Sequence, residues 1–302
     1  MMDVLVIGSG PAGLSVAVYA KRAGLNVLVA EKAYCGTGQI AESNLVDNYL
    51  GFPAINGYDL GEKFREHAVS LDVEFKNGDV GNLEFANGIW KAKLQDGEIL
   101  ETKTVIYAAG ATHRHLGVSG ENEFSGKGVS YCAACDGAFF RDKITAVVGG
   151  GDTALDDAIY LSDISKKVYL VHRRNEFRGT AGTVEKLRKK ENVEFILKAK
   201  PAGIAGTDKV QEMYLEDGRT LAVDGVFVAV GMIPATNMIK DIVELDQNGY
   251  IVADETGKTS ANGFFAAGDV RNKTLRQVVT AVSDGANAAT SARLYIEELS
   301  LK

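Results

Sequence analysis

The sequence predicts an α/β fold of two doubly wound domains in three ββα layers, and three observations carry that prediction. A glycine fingerprint at Gly8–Gly13 lies between an apolar run and an apolar-periodic stretch, the same arrangement returns near Gly149, and Asn-Gly or Asp-Gly pairs follow each copy. Glycine is frequent at 34 residues and proline rare at 4, which suits alternating strands and helices with tight turns and argues against a disordered or collagen-like chain. With 302 residues, 46% of them hydrophobic, the chain has the material for two cores of ordinary size.

Each element of the first copy has its own warrant. Asp3–Ile7 reads as a buried strand, Gly8-Ser9-Gly10-Pro11-Ala12-Gly13 opens a helix reaching about Arg22, and Asn26–Ala30 is a second strand ending at Glu31. This is the context that a G-x-G-x-x-G pattern requires. Its glycines allow a tight turn and close backbone approach, the helix amides meet a pyrophosphate, and the acid accepts from ribose hydroxyls.

Shifting the sequence by 141 positions repeats the unit without a gap. Ile144–Val148 falls on the first strand, Gly149-Gly150-Gly151-Asp152-Thr153-Ala154 on the loop, and Lys167–Val171 on the second strand. Seven positions are identical, among them Gly8/Gly149, Gly10/Gly151 and Leu14/Leu155. The chain is therefore expected to hold two Rossmann-like dinucleotide-binding domains.

The copies differ where a cofactor would be chosen. Glu31 aligns with His172, which is followed by Arg173, Arg174 and, in the same segment, Arg178. A carboxylate suits the free ribose diol of FAD or NAD, and guanidinium groups suit the 2′-phosphate of NADPH. A solvated surface cluster is the plainer reading of the arginines, but their place at the strand end of a nucleotide unit favours the phosphate.

Turn signals at Asn77-Gly78, Asn87-Gly88, Asp96-Gly97 and Asp217-Gly218 predict a small antiparallel β-meander in each domain. Thr104–Ala108 and Val226–Val230 close the two meanders, and Trp90 is expected in the core of the first. Beyond Pro234 the chain supplies Gly263–Asp269, a buried strand ending in Gly-Asp, then a helix from about Arg276-Gln277. That helix carries Ala281, Gly285, Ala288, Ala289 and Ala292 on a face of small residues, which permits close packing; an N-terminus aimed at a flavin is the alternative use.

Between the two fingerprints stands Cys132-Ala133-Ala134-Cys135-Asp136-Gly137. A C-x-x-C pair is ambiguous alone, because two such pairs can hold zinc and one can simply be packed. Flanking nucleotide units favour electron transfer from a dinucleotide to a disulfide.

The net charge of −7 argues against a nucleic-acid footprint, and the run Arg188-Lys189-Lys190 reads as a solvated helix face. No basic leader precedes Val4–Ile7, and no apolar run approaches the length of a membrane span. With three cysteines, a cytoplasmic protein whose disulfide is catalytic is the expectation. The odd cysteine, Cys35, reads as a packed side chain. His113 and His115 lack further ligands at suitable spacing and read as linker residues, so no metal is expected.

Gly8–Gly13, Glu31, Gly38-Gln39, Cys132–Gly137, Gly149–Ala154, His172–Arg178, Gly268-Asp269 and Arg276-Gln277, in this order, resemble the low-molecular-weight bacterial thioredoxin reductases over essentially the whole chain. The resemblance implies a split FAD-binding domain, residues 1–112 and 238–302, with an inserted NADPH-binding domain, residues 113–237, that carries the dithiol. FAD would be held by Gly8, Gly10, Pro11, Ala12, Gly13, Glu31, Gly38, Gln39, Asn48, Gly110, Gly268, Asp269, Arg276 and Gln277. NADPH would be held by Gly149, Gly151, Asp152, Thr153, Ala154, His172, Arg173, Arg174 and Arg178.

Electrons would pass from NADPH through FAD to a Cys132–Cys135 disulfide, and on to thioredoxin or a thioredoxin-like protein. The resemblance further implies that Cys135 faces the flavin, Cys132 attacks the substrate disulfide, and Asp136 acts as acid or base. It implies a homodimer and a rotating NADPH domain with hinges near residues 111–117 and 234–240. Thr37, Leu50, Ala109 and Ala134 depart from the family pattern, and Thr37 would place a Cβ near the flavin loop.

Three rival readings exist. A ferredoxin-driven thioredoxin reductase or a dithiol oxidase would keep the cysteines without requiring the arginines. A peroxiredoxin reductase would carry thioredoxin-like domains ahead of the first fingerprint, where this sequence has seven residues. A nucleotide sensor would have no use for a dithiol.

Overall fold

A computed structural model describes residues 1–32, 37–43 and 45–301. Cys35 lies outside the described residues. The chain forms two units, Met1–Thr112 with Ile233–Lys302, and His113–Met232.

The first unit begins with β1 (Met2–Ile7), α1 (Pro11–Arg22), β2 (Val27–Glu31), α2 (Gly57–Val69) and β3 (Glu74–Asn77). A meander follows, of β4 (Val80–Ala86), β5 (Ile89–Leu94) and the long β6 (Ile99–Tyr107). The chain leaves through β7 (Ala111–His113). The second unit comprises β8 (Val129–Ser130), α3 (Ala133–Asp136), β9 (Ile144–Gly149), α4 (Asp152–Ile164), β10 (Lys167–His172), α5 (Ala181–Arg188), β11 (Val193–Leu197), a meander of β12 (Pro201–Gly206), β13 (Val210–Leu215) and β14 (Thr220–Ala222), and β15 (Gly225–Ala229). Return is through β16 (Met232–Pro234), which pairs with β7 in a two-stranded ribbon, and the first unit is completed by β17 (Phe264–Ala266) and α6 (Val278–Ser300).

Strands of the first unit run β3-β2-β1-β6, with β17 on the free side of β6, all parallel. Near its start β6 also pairs antiparallel with β5, so one strand belongs to both the central sheet and the meander. Both faces of the central strands are therefore covered, which is why β1 is a continuous apolar run. Val4 and Val6 point into the core beneath α1 and α6, whereas Leu5 and Ile7 point into the core beneath the meander.

The second unit repeats the plan with a parallel sheet β11-β10-β9-β15-β8. There Val147 faces α4, and Ala146 and Val148 face the β12–β14 meander. Each unit is thus a three-layer ββα assembly.

Turn chemistry fixes the hairpins. Asn87 and Gly88 both have positive φ, 53° and 80°, the conformation of a tight two-residue hairpin between β4 and β5. Asp96-Gly97 and Asp217-Gly218 likewise join β5 to β6 and β13 to β14. Asn77-Gly78 does not make a hairpin: β3 and β4 are not partners, because β3 pairs in parallel with β2 while β4 pairs with β5. Trp90 is 3% exposed and packs against Phe85 and Phe264.

The return crossing falls at Met232–Ile233, ahead of the 237/238 boundary expected from sequence. Residues after it are tied to the first unit, since the Ala235 N–H donates to the Gly110 carbonyl and the Tyr107 hydroxyl donates to the Ala235 carbonyl.

Small residues let α6 lie closely on α1. Ala281, Gly285, Ala288, Ala289 and Ala292 are buried there, and the Ser15 hydroxyl of α1 donates to the Val282 carbonyl at 2.7 Å.

Candidate active site

The first fingerprint is a tight turn with no room for side chains. At Gly8, φ is 103° and a Cβ would lie 2.6 Å from the Ala108 carbonyl oxygen; at Gly13 it would lie 1.9 Å from the Gly8 oxygen. Helix α1 starts at Pro11 with Gly10 as an N-cap that supplies no side-chain hydrogen bond. Its first amides therefore keep their capacity for an anionic ligand. Glu31, ending β2, accepts from both the N–H and the hydroxyl of Ser9, at 2.9 and 3.0 Å, which brings its carboxylate to the glycine loop.

Gly38 closes the same loop from another side. A Cβ on it would come within 3.0 Å of the Gly10 Cα, and its φ is 75°. Gln39 then begins a short 3-10 turn. Thr37 is buried, its side chain filling the space that a side chain at Gly61 of α2 would need, with Oγ1 2.5 Å from that Cβ position. The departure at Thr37 is thus matched by a glycine opposite it. Asn48 donates its amide to the Gln277 side chain at 2.9 Å, and Gln277 is the N-cap of α6. Gly110, φ 70°, follows β6.

Gly268-Asp269 follows β17, and Gly268 packs so near α1 that a Cβ would sit 2.8 Å from the Ala12 Cβ. Asp269 carries a buried Oδ1 with no hydrogen-bond partner, and Arg276, stacked 4.1 Å over the Tyr250 ring, has an Nε in the same condition. Behind the turn lies a buried charge network. Asp284 of α6 accepts the Gly268 N–H at 3.0 Å, a two-pronged Arg271 guanidinium at 3.0 and 2.7 Å, and Lys273 at 2.8 Å. Burial alone would raise the Asp284 carboxyl, yet the bonds from Arg271 and Lys273 hold it below the ordinary range. Asp269 goes the other way: burial pushes it up against the pull of Lys273 and Arg276.

The second fingerprint is built alike. Gly149 admits no Cβ between the Ala229 carbonyl and Ala154, and Gly150 none above the His172 ring, 2.1 Å away. Gly151 has open space around it and is the N-cap of α4 without a side-chain hydrogen bond. Asp152, first in α4, accepts from the Thr180 N–H and hydroxyl, which hold its carboxyl below the usual range. Thr153 is exposed and Ala154 is buried. The Arg178 N–H donates to the Gly150 carbonyl at 2.7 Å, so the arginine segment is tied to the glycine loop.

His172 is buried, stacks on Phe177 and bonds through Nε2 to the Glu176 carbonyl. Burial first, then Arg174, Arg178 and Arg173, hold its pKa down. It supports the loop from beneath. Arg173, Arg174 and Arg178 are exposed, and among the described residues none has a salt-bridge partner. Three uncommitted guanidinium groups beside a helix N-terminus fit a dinucleotide bearing an extra phosphate.

Cys132 and Cys135 form a disulfide, half-buried in the second unit. Cys132 is the N-cap of α3, and its Sγ accepts the Cys135 N–H at 3.2 Å. Ser130 organises the surroundings: its hydroxyl donates to Asp136 Oδ2 at 2.6 Å and accepts the Cys132 N–H at 3.1 Å. Burial raises the Asp136 pKa and the Ser130 bond opposes the rise. The carboxyl group is thereby brought toward the range useful for proton transfer.

The sequence profile of the pyridine nucleotide-disulphide oxidoreductases matches residues 2–285. The chain belongs to this family. It is 42% identical to the thioredoxin reductase of Listeria innocua serovar 6a over 304 residues, covering 98% of this chain and 94% of that protein. It is 40% identical to that of Bacillus subtilis strain 168, with 98% and 95% covered. The crystal structure of thioredoxin reductase from Streptococcus pyogenes MGAS5005 superposes with a TM-score of 0.92 at 42% identity, covering 99% of each chain.

For a member of the pyridine nucleotide-disulphide oxidoreductase family, the residues of the first unit fit a flavin dinucleotide. The side-chain-free cradle at Gly8, Gly10 and Gly38, and the unpartnered Asp269 and Arg276 atoms beside it, supply both the space and the polar groups such a ligand requires.

Sequence reasoning missed Asp284, Arg271 and Lys273. The available signal was an acid on the otherwise small-residue face of α6, a position that is buried only with partners. Among the described residues no group of three potential ligands could hold a metal, and no helix is long and apolar enough to cross a membrane. His113 stacks on Tyr131, and His115 shares a hydrogen bond with the Tyr131 hydroxyl.

Proposed function

We propose that the chain is an NADPH-dependent thioredoxin-disulfide reductase using FAD and the Cys132–Cys135 pair. The observation that carries this reading is a disulfide flanked by a half-buried, hydrogen-bonded acid, in the same unit as a nucleotide loop with three exposed arginines. Bound FAD supplies a two-electron relay between a nicotinamide and a disulfide.

In the reduced chain, Cys132 attacks one sulfur of the thioredoxin disulfide, forming a mixed disulfide and releasing the other sulfur as a thiolate. Cys135 then attacks Cys132, which frees the second substrate sulfur and restores the Cys132–Cys135 bond. The Cys135 N–H steadies negative charge on Cys132 Sγ. Asp136, held by Ser130, donates and recovers the proton taken by the leaving thiolate. Arg173, Arg174 and Arg178 select the 2′-phosphate of NADPH, and Gly149–Ala154 receives its pyrophosphate. The first unit serves FAD through the glycine loop, Glu31, Gly38, Gln39, Asn48, Gly110, Gly268, Asp269, Arg276 and Gln277.

Because dithiol and nicotinamide site share one unit while both must reach one flavin, the reaction requires two arrangements of the units. Gly117 and Gly231, at φ 75° and 107° with open space around them, give the crossings backbone freedom. Homodimerisation and a cytoplasmic setting complete the reading; family resemblance supports the first, and the scarcity of cysteines supports the second.

The test is anaerobic addition of NADPH to the purified protein while flavin absorbance is followed, then addition of oxidised thioredoxin. Bleaching by NADPH and recovery on adding thioredoxin are expected. Bleaching only by another donor would refute the electron source, and a Cys135→Ser protein that still turns over would refute the dithiol route.

A further inference from the structure

In the buried network behind Gly268-Asp269 two cations converge on one carboxylate, Asp284, while Arg271 also reaches Glu255 at 3.3 Å. Arg271 already meets the Asp284 charge with a two-pronged bond at 3.0 and 2.7 Å. Lys273, whose side chain is 6% exposed, adds a second cation to the same carboxylate at 2.8 Å and stands 3.9 Å from Asp269 Oδ1. That oxygen is buried and has no hydrogen bond. A cation within reach of two neighbouring carboxylates favours their being ionised together.

We propose that Lys273 is a positioning residue for the flavin: clamped by Asp284, it holds Asp269 charged and fixed beside the N-terminus of α1. The inference rests on the reading that the first unit binds FAD. Asp284 contributes twice, because the same carboxylate takes the Gly268 N–H and so sets the turn that presents Asp269. Without Lys273, Asp269 faces Asp284 with only the pull of Arg276 to set against it, and its hold on a negative charge weakens. A neutral acid is a weaker acceptor for a ligand hydroxyl than a carboxylate, by about tenfold in binding.

The experiment is equilibrium dialysis of the full-length holoenzyme, with retained FAD read by absorbance, for Lys273→Met, Asp269→Asn and the double variant. Lys273→Gln, which keeps a donor toward Asp284, serves as a second probe should the methionine variant misfold. Removing Lys273 is expected to raise the FAD Kd about tenfold in the parent chain and less than twofold beside Asp269→Asn. A purely structural role gives the same loss in both backgrounds, and that result overturns the proposal. So does parental affinity in the Lys273 variants, or in Asp269→Asn. A parent chain that retains no FAD overturns the flavin reading instead.

Discussion

Replacing Gly285 by alanine tests the seat of α6 on α1. An added Cβ would lie 2.3 Å from the Ala12 carbonyl oxygen, 2.8 Å from the Ser15 Cβ and 3.0 Å from the Val16 nitrogen. Two of these atoms are backbone and cannot rotate away, so α6 must withdraw by roughly 1 Å to restore ordinary contact distances. Overpacking of this kind costs about 1–3 kcal/mol. Withdrawal also breaks the Ser15–Val282 hydrogen bond, adding about 1 kcal/mol, while the helix preference of alanine over glycine returns about 1 kcal/mol. The net loss of ~2 kcal/mol corresponds to a Tm lower by about 4–8 °C for a unit of this size. The assay is thermal denaturation of the full chain followed by tryptophan fluorescence. Trp90 is the single tryptophan and is buried in the first unit, so the signal reports that unit. An unchanged or raised Tm would mean that α6 does not pack on α1 as described.

Changing Arg173 and Arg174 together to alanine should raise the KM for NADPH by about 10- to 100-fold and that for NADH less than twofold; an equal loss for both would refute the 2′-phosphate contact. Asp157 of α4 is pushed up to about 7 from 3.8 by burial and the neighbouring Asp156. With the folded value above the unfolded one, the unfolded chain loses its proton first, and stability falls as pH climbs from about 4 to about 7. Asp157→Asn should therefore raise the unfolding free energy, obtained from urea denaturation followed by far-UV circular dichroism, by up to roughly 4 kcal/mol at about pH 8 and leave it unchanged at about pH 3; equal effects at both would refute the assignment. Gly61→Ala should weaken FAD retention by forcing a Cβ to within 2.5 Å of Thr37 Oγ1, and adding Thr37→Gly should restore it; independent, additive losses would show that the pair is not complementary.

The repeat at 141 positions exposed most of the fold because its strands are buried on both faces, leaving unbroken apolar runs that end at glycine. Asn87-Gly88 was legible for a related reason, since its φ angles are set locally. Asn77-Gly78 carries the same dipeptide without the same outcome, because strand partnership is decided by the sheet and not by the turn. The side chain of Thr37 could not be assigned from sequence: whether its Cβ met the ligand loop or α2 depended on Gly61, 24 residues away by sequence number. The arginines after His172 were readable as charge, but the support of Gly150 by the imidazole is a packing fact. Asp284 lay hidden among alanines because its partners are on the turn that precedes the helix.

The first unit is assembled from both ends of the chain, with Ser15 of α1 bonded to Val282 of α6 across 267 residues and β17 laid against β6. During synthesis the second unit, continuous from His113 to Met232, has all its strands before the first unit has its last one. The dithiol-bearing unit can therefore close on the ribosome while α1 still waits for its partner helix. Arrival of β17 and α6 becomes the event that completes the first unit, so deleting α6 should unsettle that unit before it disturbs the fold around the disulfide.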